Sequence, residues 1–230
     1  MKITFLGHAA FRIDFKDKVI LIDPFITGNP LASKDLVFDS VDYIFVTHGH
    51  KDHLGDTVRL SEEFGAKVFG VPELVNILSS KFGVKNTFSF NKGGTINVDD
   101  VFSVTMVKAE HTCSIQIGDE RIYAGETVGF VFHLGKDRVY HAGDTSVFSD
   151  MSLIKELYAP NICLLPVGNH YTMGELEFVK AVELLGGDVF IPMHFKTFPV
   201  LTQNLDKLKK RLSFEDWKKV KILSSGETFF

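Results

Sequence analysis

Four side chains able to bind a metal ion fall within six residues, His48, His50, Asp52 and His53, in the run Thr47-His48-Gly49-His50-Lys51-Asp52-His53. Two imidazoles at a spacing of two, on a loop leaving a strand, can grip one divalent ion together, while the carboxylate and the third imidazole turn towards a second ion nearby. The run follows an apolar stretch that ends at Val46, and Gly49 admits backbone shapes that larger residues resist. Chance clustering among the nine histidines is the competing reading. It loses because His111, Asp144 and His194 each also fall at the end of a strand-like run, and loops on a rigid scaffold are where chemistry is placed.

Something must position these loops. Apolar periodicity predicts strands at 3–6, 10–15 and 19–22, a meander with a turn at Lys16-Asp17, and a further strand at 43–46 just ahead of the histidines. A helix over 57–64 stopped by Gly65, a strand at 67–69 and a helix opened by Pro72 follow. Strands at 95–98 and 102–107 come after Gly93-Gly94. The order then repeats, with strands at 128–134 and 138–141, the polar loop Gly143-Asp144-Thr145, a helix near 149–157 and a strand at 162–166. A helix over 175–185 sets Phe178, Ala181, Val182 and Leu185 on one core-facing stripe, with Thr172 as its expected N-cap and Glu175 completing a capping box. A strand at 188–193 delivers His194, and a basic amphipathic segment at 205–212 and a strand at 220–223 close the pattern. Two sets of strands followed by helices predict an α/β fold of two similar ββα halves, a four-layer αββα sandwich with helices outside two sheets. No linker rich in Pro, Gly or Ser divides the chain, so residues 1–230 are expected to form one domain.

A net charge of −4 and a pI near 6.1 provide no basic field for phosphate backbones, which disfavours long nucleic acids and favours a small-molecule substrate. No segment reaches the roughly 20 apolar residues of a membrane-spanning helix. The first eight residues run straight into a strand pattern without a signal-like apolar region, so a cytoplasmic protein is expected, with a homo-oligomer left open. Two cysteines far apart exclude a disulfide framework. Cys163, in an apolar run, reads as a buried small hydrophobe, and Cys113, two residues after His111, is expected to stay out of the metal site.

The His-x-His-x-Asp-His run at 48–53 is the signature of the metallo-β-lactamase superfamily, which the chain resembles over essentially its full length. Leu6-Gly7-His8-Ala9-Ala10-Phe11, Asp23-Pro24-Phe25-Ile26-Thr27-Gly28-Asn29-Pro30, His141-Ala142-Gly143-Asp144-Thr145, Gly168-Asn169-His170-Tyr171-Thr172-Met173-Gly174 and Ile191-Pro192-Met193-His194 are similar to the UPF0173 group of metal-dependent hydrolases, relatives of the ascorbate-6-phosphate lactonases. Carried over position by position, the resemblance implies that His48, His50 and His111 hold one metal, that Asp52, His53 and His194 hold a second, and that Asp144 bridges both. A site of that kind spaces its ions about 3.5 to 4 Å apart and holds a hydroxide between them, the expected nucleophile. Diiron flavoproteins of this fold carry Glu at the position of His50, so the imidazole here favours zinc or manganese over redox iron. The implied activity is a metal-dependent hydrolase that attacks an ester, lactone, phosphoester or amide of a small molecule. The alternatives are a mononuclear iron oxygenase of the same fold, a phosphodiesterase or nuclease acting on RNA or cyclic nucleotides, and a metal-binding protein without turnover.

Around the ligands, Asp23 resembles the buried superfamily aspartate that accepts hydrogen bonds from the metal loop and orients it; the competing reading is a turn aspartate before Pro24. His141 is expected to support the Asp144 loop without touching substrate. Asp52 is given a share in proton relay. His8 and His170 are placed at the pocket rim, holding substrate or donating a proton to the leaving group, against a reading of each as a hydrogen-bonded structural histidine. His133, alternating within a strand, reads as structural.

Overall fold

A computed structural model describes residues 1–34 and 36–229. The alternating apolar residues at the start of the chain form an antiparallel meander of β1 (Lys2–Gly7), β2 (Ala10–Phe15) and β3 (Lys18–Ile22). Pairing then turns parallel, and β4 (Tyr43–Phe45), β5 (Lys67–Gly70) and β6 (Thr87–Ser89) add beside β3 in sequence order. Parallel neighbours need crossover connections. These are α1 (Lys51–Leu54) and α2 (Thr57–Phe64) between β4 and β5, and α3 (Pro72–Phe82) between β5 and β6. Left-handed Gly65 and Gly83 end α2 and α3, a conformation that glycine adopts without steric cost.

At Lys92 the chain leaves this first compact unit for a second, where β7 (Thr95–Val98) and β8 (Phe102–Lys108) pair antiparallel. Residues Thr112–Thr127 belong again to the first unit and carry a two-stranded hairpin, β9 (Ser114–Ile117) and β10 (Glu120–Tyr123). The second unit then continues with β11 (Val128–Leu134), β12 (Asp137–His141), α4 (Met151–Tyr158), β13 (Ile162–Pro166), α5 (Glu175–Leu185), β14 (Val189–Met193), α6 (Asp206–Arg211) and α7 (Phe214–Lys219). From Ser224 the chain rejoins the first unit, where β15 (Thr228–Phe229) pairs with β1. The second sheet repeats the plan of the first, with β7, β8, β11 and β12 antiparallel and then β13 and β14 parallel. The α/β reading with two similar halves thus holds as two mixed sheets with flanking helices. Two compact units share the chain, and no single cut separates them.

Both sheets put loops at the carboxyl ends of parallel strands, the usual location of chemistry in such sheets. Asp23 follows β3, the histidine run follows β4, Asp144 follows β12, His170 follows β13 and His194 follows β14. Behind the second set, the α5 stripe of Phe178, Ala181, Val182 and Leu185 is buried with Met173 in one apolar cluster. Among the described residues no helix is long and apolar enough to cross a membrane.

Two expectations fail on local geometry. The strand at 220–223 reduces to one parallel bridge from Val220 to Phe190, because Lys221 and Ile222 both face solvent and the alternation that a strand face needs is broken. Thr172 does not cap α5. Gly174 is the N-cap, and the Thr172 hydroxyl is buried with no hydrogen-bond partner among the described residues. The short helix α1, the strands β6 and β15, the helix α7 and the β9–β10 hairpin have no counterpart among the sequence expectations. The hairpin did carry a signal, the alternating Ser114-Ile115-Gln116-Ile117 followed by the two-residue turn Gly118-Asp119.

Candidate metal centre

In the first unit the construction begins with Asp23, fully buried just past β3. Its carboxylate accepts from the Thr47 N–H at 2.8 Å, the Thr47 hydroxyl at 2.6 Å and Nδ1 of His53 at 2.6 Å. The Thr47 hydroxyl has given its proton to Asp23, so it accepts from Nδ1 of His48 at 3.0 Å. One carboxylate therefore keeps Nδ1 of both His48 and His53 protonated and leaves each Nε2 with the lone pair that a metal needs. Nε2 of His48 meets Nδ1 of His50 at 3.0 Å, a separation at which two imidazole nitrogens can face one cation. The single turn of α1 carries Asp52 and His53, whose ligand atoms lie within 4.8 Å of each other and of His8.

Gly49 has another reason to be glycine than the one expected. Its φ is not left-handed; what it supplies is space, since a β-carbon there would sit 3.0 Å from the Ser114 carbonyl and 3.2 Å from Cβ of Ile115. Buried Cys113 works at the same point. Its sulfur accepts the Gly49 N–H at 3.4 Å, and its S–H donates to the Ala124 carbonyl at 3.4 Å. Burial pushes the Cys113 thiol up, so it stays protonated and serves the backbone.

In the second unit the corresponding work falls to Thr145. Its hydroxyl accepts the Glu110 N–H at 2.9 Å and donates to the Ser146 carbonyl at 2.7 Å, and the Ser146 N–H reaches the Glu110 carbonyl at 3.1 Å. The residue before His111 is thereby tied to the loop of Asp144. Oδ2 of Asp144 lies 3.1 Å from Nε2 of His194 and 3.7 Å from Nε2 of His111. Nδ1 of buried His141 accepts the Gly143 N–H at 3.2 Å and so shapes the Asp144 loop from within. Gly168, after β13, packs against the backbone carbonyl of His194 so closely that a β-carbon would collide with it.

These two arrangements invite comparison with known proteins. The Beta-lactamase superfamily domain profile matches residues 18–195. UPF0173 metal-dependent hydrolases of Koribacter versatilis and Archaeoglobus fulgidus are 46% and 45% identical over 232 and 233 residues, spanning 100% of this chain and 97% and 98% of theirs. The chain belongs to the UPF0173 metal-dependent hydrolases of the metallo-β-lactamase superfamily. A solved metallo hydrolase from the hyperthermophilic archaeon Ignicoccus hospitalis matches with TM-score 0.86 at 34% identity, covering 99% of this UPF0173 chain and 97% of the other. An isothiocyanate hydrolase from Delia radicum gut bacteria matches with TM-score 0.79 at 20% identity over 100% and 99% of the two chains, a likeness of fold alone.

The remaining expected residues of this UPF0173 protein divide. His170 is exposed, its ring edge-on to Tyr171 at 4.5 Å between centroids. His8 is not at a rim: it is fully buried, with Nε2 3.0 Å from Oδ2 of Asp52. His133 meets the Thr105 hydroxyl at 2.9 Å inside the second sheet, a structural placement. Thr47, Thr145 and Cys113 were not anticipated as supports, although the hydroxyl directly preceding a ligand run was a readable cue for Thr47. Of the nine non-glycine residues with positive φ among the described residues, three are His8 at 61°, Asp23 at 46° and His194 at 57°. Strain of roughly 1–3 kcal/mol per residue persists only where the surroundings over-determine it.

Asp56 braces the loop that follows Asp23. Its buried carboxylate accepts from the N–H groups of Ile26 at 3.0 Å and Thr27 at 2.7 Å, from the Thr27 hydroxyl at 2.6 Å and from Nε of Arg59 at 3.1 Å. Burial by itself raises this carboxyl, but the bonds from Thr27, Ile26 and Arg59 together hold it below the ordinary 3.8. A lowered carboxyl stabilises the fold above the unfolded value and loses that contribution as pH falls through the folded value. Asp56→Ala is therefore expected to cost about 2 kcal/mol or more at pH 7, about 4–8 °C in melting temperature. The gap from the parent should narrow as pH drops below 3.8. Calorimetry across that range checks both, and a variant that melts with the parent at pH 7 removes the brace.

Proposed function

We propose that this UPF0173 protein hydrolyses an ester, lactone, phosphoester or amide of a small molecule at a site for two divalent ions, zinc or manganese. His48, His50 and His111 would hold one ion and Asp52, His53 and His194 the other, with Asp144 as a ligand that both would share. The observation that carries this reading is the set of hydrogen bonds by which Asp23 meets Nδ1 of His53 and, through the Thr47 hydroxyl, holds Nδ1 of His48, turning Nε2 of each to the ligand position. Imidazole nitrogens so oriented, with carboxylate oxygens beside them, form a donor set suited to zinc or manganese. Two such ions, when bound, lower the pKa of a shared water towards about 7 and polarise the bond under attack.

The chain's own residues do the rest. Asp23 and Thr47 hold the imidazoles in orientation, and His141 and Thr145 hold the Asp144 loop. Asp52, half-buried on α1, takes up the proton released by the attacking water. Exposed His170, on the loop after β13, contacts the substrate and returns a proton to the leaving group. Both cysteines are free and buried, which suits the reducing conditions of a cytoplasmic enzyme.

The test is a hydrolase screen of metal-stripped protein reloaded with zinc or manganese, over lactone, phosphodiester and thioester panels. Turnover that appears on loading and disappears with chelator is the expected result. Hydrolysis indifferent to chelator, or oxygen uptake with iron and a persulfide instead, overturns the reading.

A further inference from the structure

His8 occupies an unusual position for a buried histidine. It is the first of the two residues, His8-Ala9, that join β1 to β2, where Gly7 pairs with Ala10 and the register shifts after Phe5. Hairpin tips face solvent as a rule, and a positive φ at the first loop position ordinarily selects glycine. Here Gly7 and His8 both have positive φ, at 106° and 61°, yet the His8 side chain is fully buried. The turn is bent so that an imidazole points inwards.

What the imidazole meets decides its role. Its ring is edge-on to Phe25 at 5.9 Å and to His53 at 5.6 Å, which fixes the plane, and Nε2 sits 3.0 Å from Oδ2 of Asp52. A carboxylate is an acceptor, so Nε2 carries the proton and donates it. An ionised carboxylate has about four lone-pair sites, so one N–H from His8 orients Asp52 and leaves capacity for an ion. We propose that His8 is the positioning residue of Asp52: the strained β1–β2 turn holds an N–H donor that sets the rotamer in which Asp52 ligates the second ion. The inference rests on the two-ion reading above and assigns His8, whose ring nitrogen lies within 4.8 Å of the donor atoms of Asp52 and His53, to holding Asp52 and not to ligating the ion.

The test compares His8→Leu with His8→Gln. Both variants bear the same backbone cost at a positive φ, but only glutamine can present an N–H near the position of Nε2. Zinc stoichiometry and affinity are measured by chelator competition, and the ligand field by absorption of the cobalt-loaded protein. His8→Leu is expected to weaken one ion of the pair about ten- to a hundredfold, to alter the cobalt spectrum and to leave the other ion in place. His8→Gln is expected to regain most of the affinity. If His8→Leu binds both ions as the parent does, or if His8→Gln binds as weakly as His8→Leu with the same circular dichroism as the parent, the positioning role is wrong. Nitrogen NMR of the unmodified chain gives a reading that needs no folded variant: His8 protonated on Nε2 supports the proposal, and protonation on Nδ1 alone overturns it. A parent protein that binds no pair of ions fails at the earlier step, and the failure is then seen without any substitution.

Discussion

Asp144→Ala is expected to reduce metal-dependent hydrolysis at least about a hundredfold, with His194→Ala reducing it to a similar degree. The carboxylate is buried, and its Oδ2 lies 3.1 Å from Nε2 of His194 and 3.7 Å from Nε2 of His111. Removing it deprives any cation held by those imidazoles of its compensating charge, in surroundings where water cannot easily replace it. The loop itself should keep its shape, because Thr145 and His141 hold it through bonds that do not involve the Asp144 side chain. The measurement is turnover of the metal-loaded variants, with metal content determined in parallel. Unchanged turnover in either one removes these residues from the ligand set.

The second large effect falls on a residue that need touch neither ion nor substrate. Asp23→Ala leaves a buried N–H, a buried hydroxyl and a buried imidazole N–H without their shared acceptor. At roughly 1–3 kcal/mol for each stranded donor, the metal-free protein should lose at least about 3 kcal/mol, or about 6–12 °C in melting temperature. Metal affinity should fall ten- to a hundredfold as well, about the cost of removing an outer-shell partner. Asp23→Asn should not rescue it, because the amide would turn an NH2 group towards donors where the carboxylate offered only acceptors. Calorimetry of the metal-free variants and chelator competition on the loaded ones separate the two losses. A lower melting temperature with intact affinity would confine Asp23 to the fold and detach it from the metals.

Much of this molecule was readable from local pattern. The bounds of α2 at Thr57–Phe64, β11 at Val128–Leu134, β13 at Ile162–Pro166 and α5 at Glu175–Leu185 coincide with those expected from apolar period and glycine stops. Period is a property of neighbouring residues, so a single chain displays it. Where the period was broken by exposed Lys221 and Ile222, the expected strand at 220–223 did not form, and the three-residue β6 was too short to show a period at all.

Residue types able to ligate a metal are few, so the candidates at 48–53, 111, 144 and 194 were also visible in the sequence alone. Tertiary structure decided what each of those donors can offer. Asp23 sets which nitrogen carries the proton in His53, 30 residues away, and in His48 through Thr47, 24 residues away, and His8 reaches Asp52 across 44. Gly49 must be small because of a hairpin that begins at Ser114, and Gly168 because of the carbonyl of His194. Each of these is a contact between distant positions, and the orientation of a side chain at such a contact depends on which hydrogen bonds the fold closes around it.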